Sequence, residues 1–121
     1  MPQKMILIID DEPDLVEIAK SHLEEAGYLV AAASNGIEGL EKAKSVKPDL
    51  ILLDIAMPEM DGLEMLETLR GTPGLSGIKV LMLTAKGRTE NIFEADRLRA
   101  VDFLIKPFSH QDLISAVRKA I

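Results

Sequence analysis

The chain alternates short apolar runs with longer amphipathic stretches. Met5–Ile9 and Leu50–Leu53 are apolar without a polar interruption, the pattern of strands covered on both faces. Ile78–Leu83 is nearly so, and Tyr28–Ala33 and Val101–Ile105 read as weaker strands. Between them the spacing becomes helical. Leu15, Ala19, Leu23 and Ala26 step by four, four and three, Pro13 suits a first helical turn, and Gly27 stands where a helix ends. Asn35-Gly-Ile-Glu38 and Asp61-Gly-Leu-Glu64 each pair a capping side chain with a Glu three residues on, and Ser109-His-Gln-Asp112 is a weaker version. A fourth helix is predicted over about Thr89–Leu98, with sparse apolar positions at Ile92, Phe93, Ala95 and Leu98. Gly71-Thr-Pro-Gly74 reads as a loop.

The predicted order is βαβαβαβαβα. Strands separated by helices pair in parallel, which gives an α/β fold with one sheet covered on both faces. Ligands then bind at the carboxyl ends of the strands. With 121 residues and no repeat or linker, residues 1–121 are read as a single domain.

Composition narrows the function. Fourteen Lys and Arg against twenty Asp and Glu leave a formal charge of −6, which argues against direct nucleic-acid binding by this chain. Cysteine is absent, so disulfides, thiolate catalysis and Cys-ligated metals are excluded, and the cytoplasm is the default location. No apolar run approaches the ~20 residues that span a bilayer, and no signal peptide is readable before Met5.

On this frame Asp10 and Asp11 end the first strand, Asp54 the third, Thr84 the fourth and Lys106 the fifth. Converging carboxylates repel and demand a cation, and oxygen ligands select a hard one such as Mg²⁺. Lys106 supplies a fixed positive charge and Thr84 a donor. That set suits phosphoryl transfer, with Asp54 on the buried central strand as nucleophile and the Asp10–Asp11 pair for the metal. Glu12 is read as doing no more than favouring the first helix's N-terminus. His22 and His110 lie in no histidine-kinase-like context and are each read as a solvated helix residue. Gly36 and Gly62 are assigned to backbone geometry at helix starts.

Ile8-Ile-Asp-Asp-Glu-Pro-Asp14, the segment from Pro48 to Gly62, Leu83-Thr-Ala85 and Asp102-Phe-Leu-Ile-Lys-Pro-Phe108 resemble the receiver domain of two-component response regulators. The resemblance runs along the whole chain. It implies a flavodoxin-like doubly wound (βα)₅ parallel sheet in the order 2-1-3-4-5. It implies that Asp54 takes a phosphoryl group from a histidine kinase or phosphotransfer protein in a Mg²⁺-dependent reaction that the domain itself catalyses, together with its reversal. Asp11, Asp54 and the Ala56 carbonyl would be direct metal ligands, with Asp10 acting through water. Thr84 and Lys106 would contact the phosphoryl group, Thr84 and Phe103 would form a switch, and Lys106-Pro107 would be a cis peptide. A downstream effector would dock on the fourth helix, fifth strand and fifth helix. Ala56 and Lys86 would line the approach of the hydrolytic water.

The chain departs from that pattern in three places. Arg99 replaces the usual Gly, which predicts a remodelled end to the fourth helix. Ala116 stands where regulators of the winged-helix class carry a basic residue for dimerisation, and Phe103 replaces the commoner Tyr. Two readings of other classes compete: a fold-retaining binding module that signals without phosphorylation, and a Mg²⁺-dependent phosphatase acting on external substrates.

Overall fold

The computed structural model describes residues 3–57, 60–85 and 90–121. Ten elements alternate: β1 (Met5–Ile9), α1 (Pro13–Glu25), β2 (Leu29–Ala33), α2 (Gly36–Val46), β3 (Leu50–Asp54), α3 (Gly62–Gly71), β4 (Lys79–Ala85), α4 (Glu90–Arg97), β5 (Asp102–Lys106) and α5 (His110–Ala120). The five strands form one parallel sheet in the order β2-β1-β3-β4-β5. Order and pairing are as expected. Three boundaries differ in ways that matter: β3 runs on to include Asp54, β4 to include Thr84 and β5 to include Lys106. Thr89, placed at the start of the fourth helix from sequence, lies outside the described residues, as does Lys86.

The uninterrupted apolar strands reflect two cores, one on each face of the sheet. Leu7, Ile9, Ile51, Leu53, Val80 and Met82 point into one, where Met65, Leu66 and Leu69 of α3 and Ala95 of α4 join them. The alternate residues Ile6, Ile8, Leu50, Leu52, Leu81 and Leu83 point into the other, against Ala19 and Leu23 of α1 and Leu113 and Val117 of α5. Each fully buried Leu or Ile contributes about 1.5–3 kcal/mol, so the central strands β1, β3 and β4 anchor the sheet.

Local signals set the helix ends. Asn35 Oδ1 accepts from the Glu38 N–H at 2.8 Å and Asp61 Oδ1 from the Glu64 N–H at 2.9 Å. Ser109 and Asp112 form a complete reciprocal capping box, stronger than their sequence suggests. Helix α1 closes with Gly27 in the left-handed region (φ 100°), the Gly27 N–H bonding Glu24 O and the Tyr28 N–H bonding Leu23 O.

The end of α4 is not remodelled. Arg99 takes φ 64°, the conformation a glycine would adopt, and the same pair of bonds forms: Arg99 N–H to Asp96 O and Ala100 N–H to Ala95 O. A side chain at positive φ costs about 1–2 kcal/mol. Arg70 of α3 offsets that cost. Its guanidinium donates to Leu98 O (2.8 Å), Arg99 O (3.1 Å), Ser76 O (2.9 Å) and Ile78 O (2.7 Å), tying the end of α4 to the approach to β4. Burial and the nearby Arg99 charge both lower the Arg70 pKa from its ordinary value.

Candidate phosphoryl-transfer site

The carboxyl ends of β1, β3 and β5 bring Asp10, Asp11, Asp54 and Lys106 together. One carboxylate oxygen from each of Asp10, Asp11 and Asp54 lies within 4.8 Å of the others. Asp10 and Asp54 are buried, whereas Asp11 is exposed. Lys106 reaches into this group, its Nζ 2.8 Å from Asp10 Oδ2, 3.3 Å from Asp54 Oδ1 and 3.0 Å from Glu12 Oε1.

Backbone contacts fix the carboxylates. The Asp10 N–H donates to Ala33 O on β2 and its Oδ1 accepts the Glu12 N–H at 2.9 Å, so the side chain both closes the turn into α1 and faces the site. Asp54 is held from the main chain on either side. The Ile55 N–H donates to Leu83 O at 3.0 Å, and the Gly62 N–H donates to Ile55 O at 2.8 Å. A Cβ at position 62 would stand 2.2 Å from Asp54 O and 2.8 Å from Ile55 Cα. Only glycine permits α3 to start this close beneath β3. Phosphate cradling is not required to explain it.

The electrostatics follow from burial. Desolvation is the largest influence on Asp54 and the Asp10 charge the next; Lys106 opposes both, and the carboxyl is pushed up to about 6. For Lys106 burial acts to lower the pKa. The close polar contacts with Asp10 and Glu12 and the charges of Asp54 and Asp10 outweigh it, and the ammonium is held above its ordinary range. Among the described residues one cation stands among three close carboxylates, which leaves the group negative. Asp10 Oδ2 is buried and, although the Lys106 ammonium stands beside it, it makes no well-aligned hydrogen bond among the described residues. An unsatisfied buried carboxylate oxygen among hard donors fits a divalent ion such as Mg²⁺, with Asp10, Asp11 and Asp54 as the residues to hold it.

Other residues singled out from sequence take varied places. Thr84 is buried near the end of β4, its register partner on β5 being Ile105, and its hydroxyl makes a long 3.4 Å bond to Ala85 O. Phe103 lies opposite Met82 and is half-buried against the core shared with α3 and α4. Ala56 is exposed in the loop after β3. The Lys106-Pro107 bond is cis, as the resemblance implied. Glu12 needs correction: besides its place before α1, its carboxylate binds Lys106. That contact spans nearly the whole chain, so no local pattern could have shown it.

A buried aspartate at the end of a central parallel strand, flanked by an acidic pair and a lysine at the carboxyl edge of the sheet, defines an α/β domain of the receiver type. The chain belongs to the response regulator receiver domain family, which matches residues 6–118. Chemotaxis protein CheY of Thermotoga maritima is 36% identical over 118 residues, 96% of both chains. The DNA-binding dual master transcriptional regulator RpaA of Synechocystis is 40% identical over 113 residues, which is 93% of this chain and 47% of that protein. The chain thus spans about half the length of the transcriptional regulators it matches. The solved structure of CheY4 from Vibrio cholerae superposes with a TM-score of 0.93 at 29% identity, covering 99% of this chain and 100% of that one. Receiver domains act in phosphorelay signalling and interact with histidine kinases and effectors. Among the described residues no helix is long and apolar enough to cross a membrane.

Proposed function

We propose that Asp54 is the phosphoryl acceptor, that Mg²⁺ held by Asp10, Asp11 and Asp54 is required, and that the donor is a histidine kinase or phosphotransfer protein. The observation that carries this reading is the convergence of Asp10, Asp11 and Asp54 around the ammonium of Lys106. A carboxylate oxygen of Asp54 forms a bond to phosphorus as the donor's phosphorus–nitrogen bond breaks, the electron pair leaving with the imidazole. Mg²⁺ supplies charge neutralisation for the transferring group. The chain's own residues do the positioning. With its carboxyl at about 6, Asp54 is anionic and nucleophilic at neutral pH. Lys106 meets the phosphoryl oxygens from the β5 side.

The switch reading rests on Thr84 and Phe103. Among the described residues the Thr84 hydroxyl makes one long bond, 3.4 Å to Ala85 O, and turning toward a new anion costs it little. Phe103 then follows into the space it leaves, a two-state element biased by the phosphoryl group. Val101 and Ile105 are half-exposed apolar residues on and beside the edge strand β5, which supports an effector surface on α4, β5 and α5.

Incubation with an acyl phosphate and Mg²⁺, followed by intact mass, tests the assignment. One added phosphoryl group is expected, absent without Mg²⁺ and absent in Asp54→Asn. Labelling of that variant overturns the acceptor assignment. No adduct on the wild type favours a binding module, and turnover of varied phosphate esters favours a phosphatase.

A further inference from the structure

His22 and His110, far apart in the chain and unremarked by any local motif, meet in the fold. His22 lies in the last turn of α1 and His110 is the first residue of α5. Their ring centroids are 4.1 Å apart and the ring planes are inclined at 82°. His22 is half-buried and His110 exposed, so solvent reaches both. They stand at a groove between α1 and the β5–α5 connection whose walls include Ile18, Ala19, Pro107 and Phe108.

We propose that His22 and His110 form a binding site for a transition-metal ion of the Zn²⁺, Ni²⁺ or Cu²⁺ class, distinct from the carboxylate centre. Imidazole nitrogen is the preferred protein ligand for these ions, whereas hard ions choose carboxylate oxygen. Two imidazoles sharing one ion at ~2.0–2.1 Å bring their ring centres to about 4.5–5 Å. The rings now meet edge to face at 4.1 Å, so seating an ion takes an opening of less than about 1 Å and a turn of the imidazoles that brings one nitrogen of each to a common point. The His110 backbone is fixed in advance: the capping box of Ser109 and Asp112 holds the first turn of α5 in place. Water fills the remaining coordination positions on the exposed side.

The two metal preferences separate the sites. Mg²⁺ binds imidazole poorly, so a saturating Mg²⁺ concentration occupies the carboxylates of Asp10, Asp11 and Asp54 and leaves the histidines open. An ion on the histidines would clamp the end of α1 to the start of α5, a few residues beyond Lys106.

The test is titration of the chain with ZnCl₂ in excess Mg²⁺, followed by calorimetry and by the imidazole C–H resonances in NMR. One equivalent is expected to bind, with His22 and His110 signals moving together along a single isotherm. His22→Gln and His110→Gln should each abolish that event, and melts without Zn²⁺ establish that both variants fold. Undiminished binding in either variant overturns the proposal. So does a wild-type titration in which only one imidazole shifts, or in which Zn²⁺ perturbs the aspartate loops alone. The wild-type NMR result decides even where a variant misfolds.

Discussion

Lys106 holds its ammonium 2.8 Å from Asp10 Oδ2, yet that buried oxygen makes no well-aligned hydrogen bond among the described residues. The pair is an electrostatic contact in a site that stays short of positive charge. Lys106 is mostly buried, with 14% of its side chain exposed, and Asp10 is wholly so. Removing one partner of such a pair strands the other. Lys106→Met should therefore destabilise the metal-free protein by about 3 kcal/mol. Added Mg²⁺ should recover part of the loss by supplying the missing charge. Urea unfolding with and without Mg²⁺ measures both.

The raised Asp54 carboxyl makes stability depend on pH in a definite direction. Its pKa is about 6 when folded against an ordinary 3.8, so the folded state binds the proton more tightly. This group's contribution is fully present below about pH 4 and is lost as pH rises toward 6. Asp54→Asn should then stabilise the chain at pH 7.5 by roughly 1–2 kcal/mol, after discounting for solvent screening. The gain should vanish at pH 4. Thermal melts in chelator across this range check the sign, and a gain that grows on acidification contradicts it.

Mg²⁺ should stabilise the wild type by mass action, about 1.4 kcal/mol at ten times its dissociation constant. Asp11→Ala should weaken that response, since Asp11 is one of the three converging carboxylates. Glu12→Gln should leave most of it, because Glu12 faces Lys106. Melting temperature against Mg²⁺ concentration gives the three dissociation constants directly.

Arg70 and Arg99 should respond in opposite senses. Arg70→Met strands four backbone carbonyls that now share one guanidinium, and a loss of about 2–4 kcal/mol is expected. Arg99→Gly relieves the cost of positive φ and should be neutral or stabilising by up to about 1 kcal/mol. Amide exchange at Leu98–Val101 should quicken in the first variant and hold steady in the second.

Much of this protein was legible along the chain. Uninterrupted apolar strands, caps at Asn35, Asp61 and Ser109, and Gly27 at a helix end act within a few residues, so periodicity and turn chemistry alone determine the element order. Parallel pairing follows, and with it the gathering of Asp10, Asp11, Asp54 and Lys106 at one sheet edge. What needed the tertiary structure was the set of distant contacts that strand order does not place. Glu12 meets Lys106, Arg70 closes the end of α4, Gly62 presses on Asp54, and His22 touches His110. Such contacts depend on how helices lie across the sheet, a matter of packing that leaves no period or motif in the sequence. The Arg99 turn shows the same division. Its side chain argued against a left-handed residue, and the carbonyls gathered by Arg70 decided in favour of one.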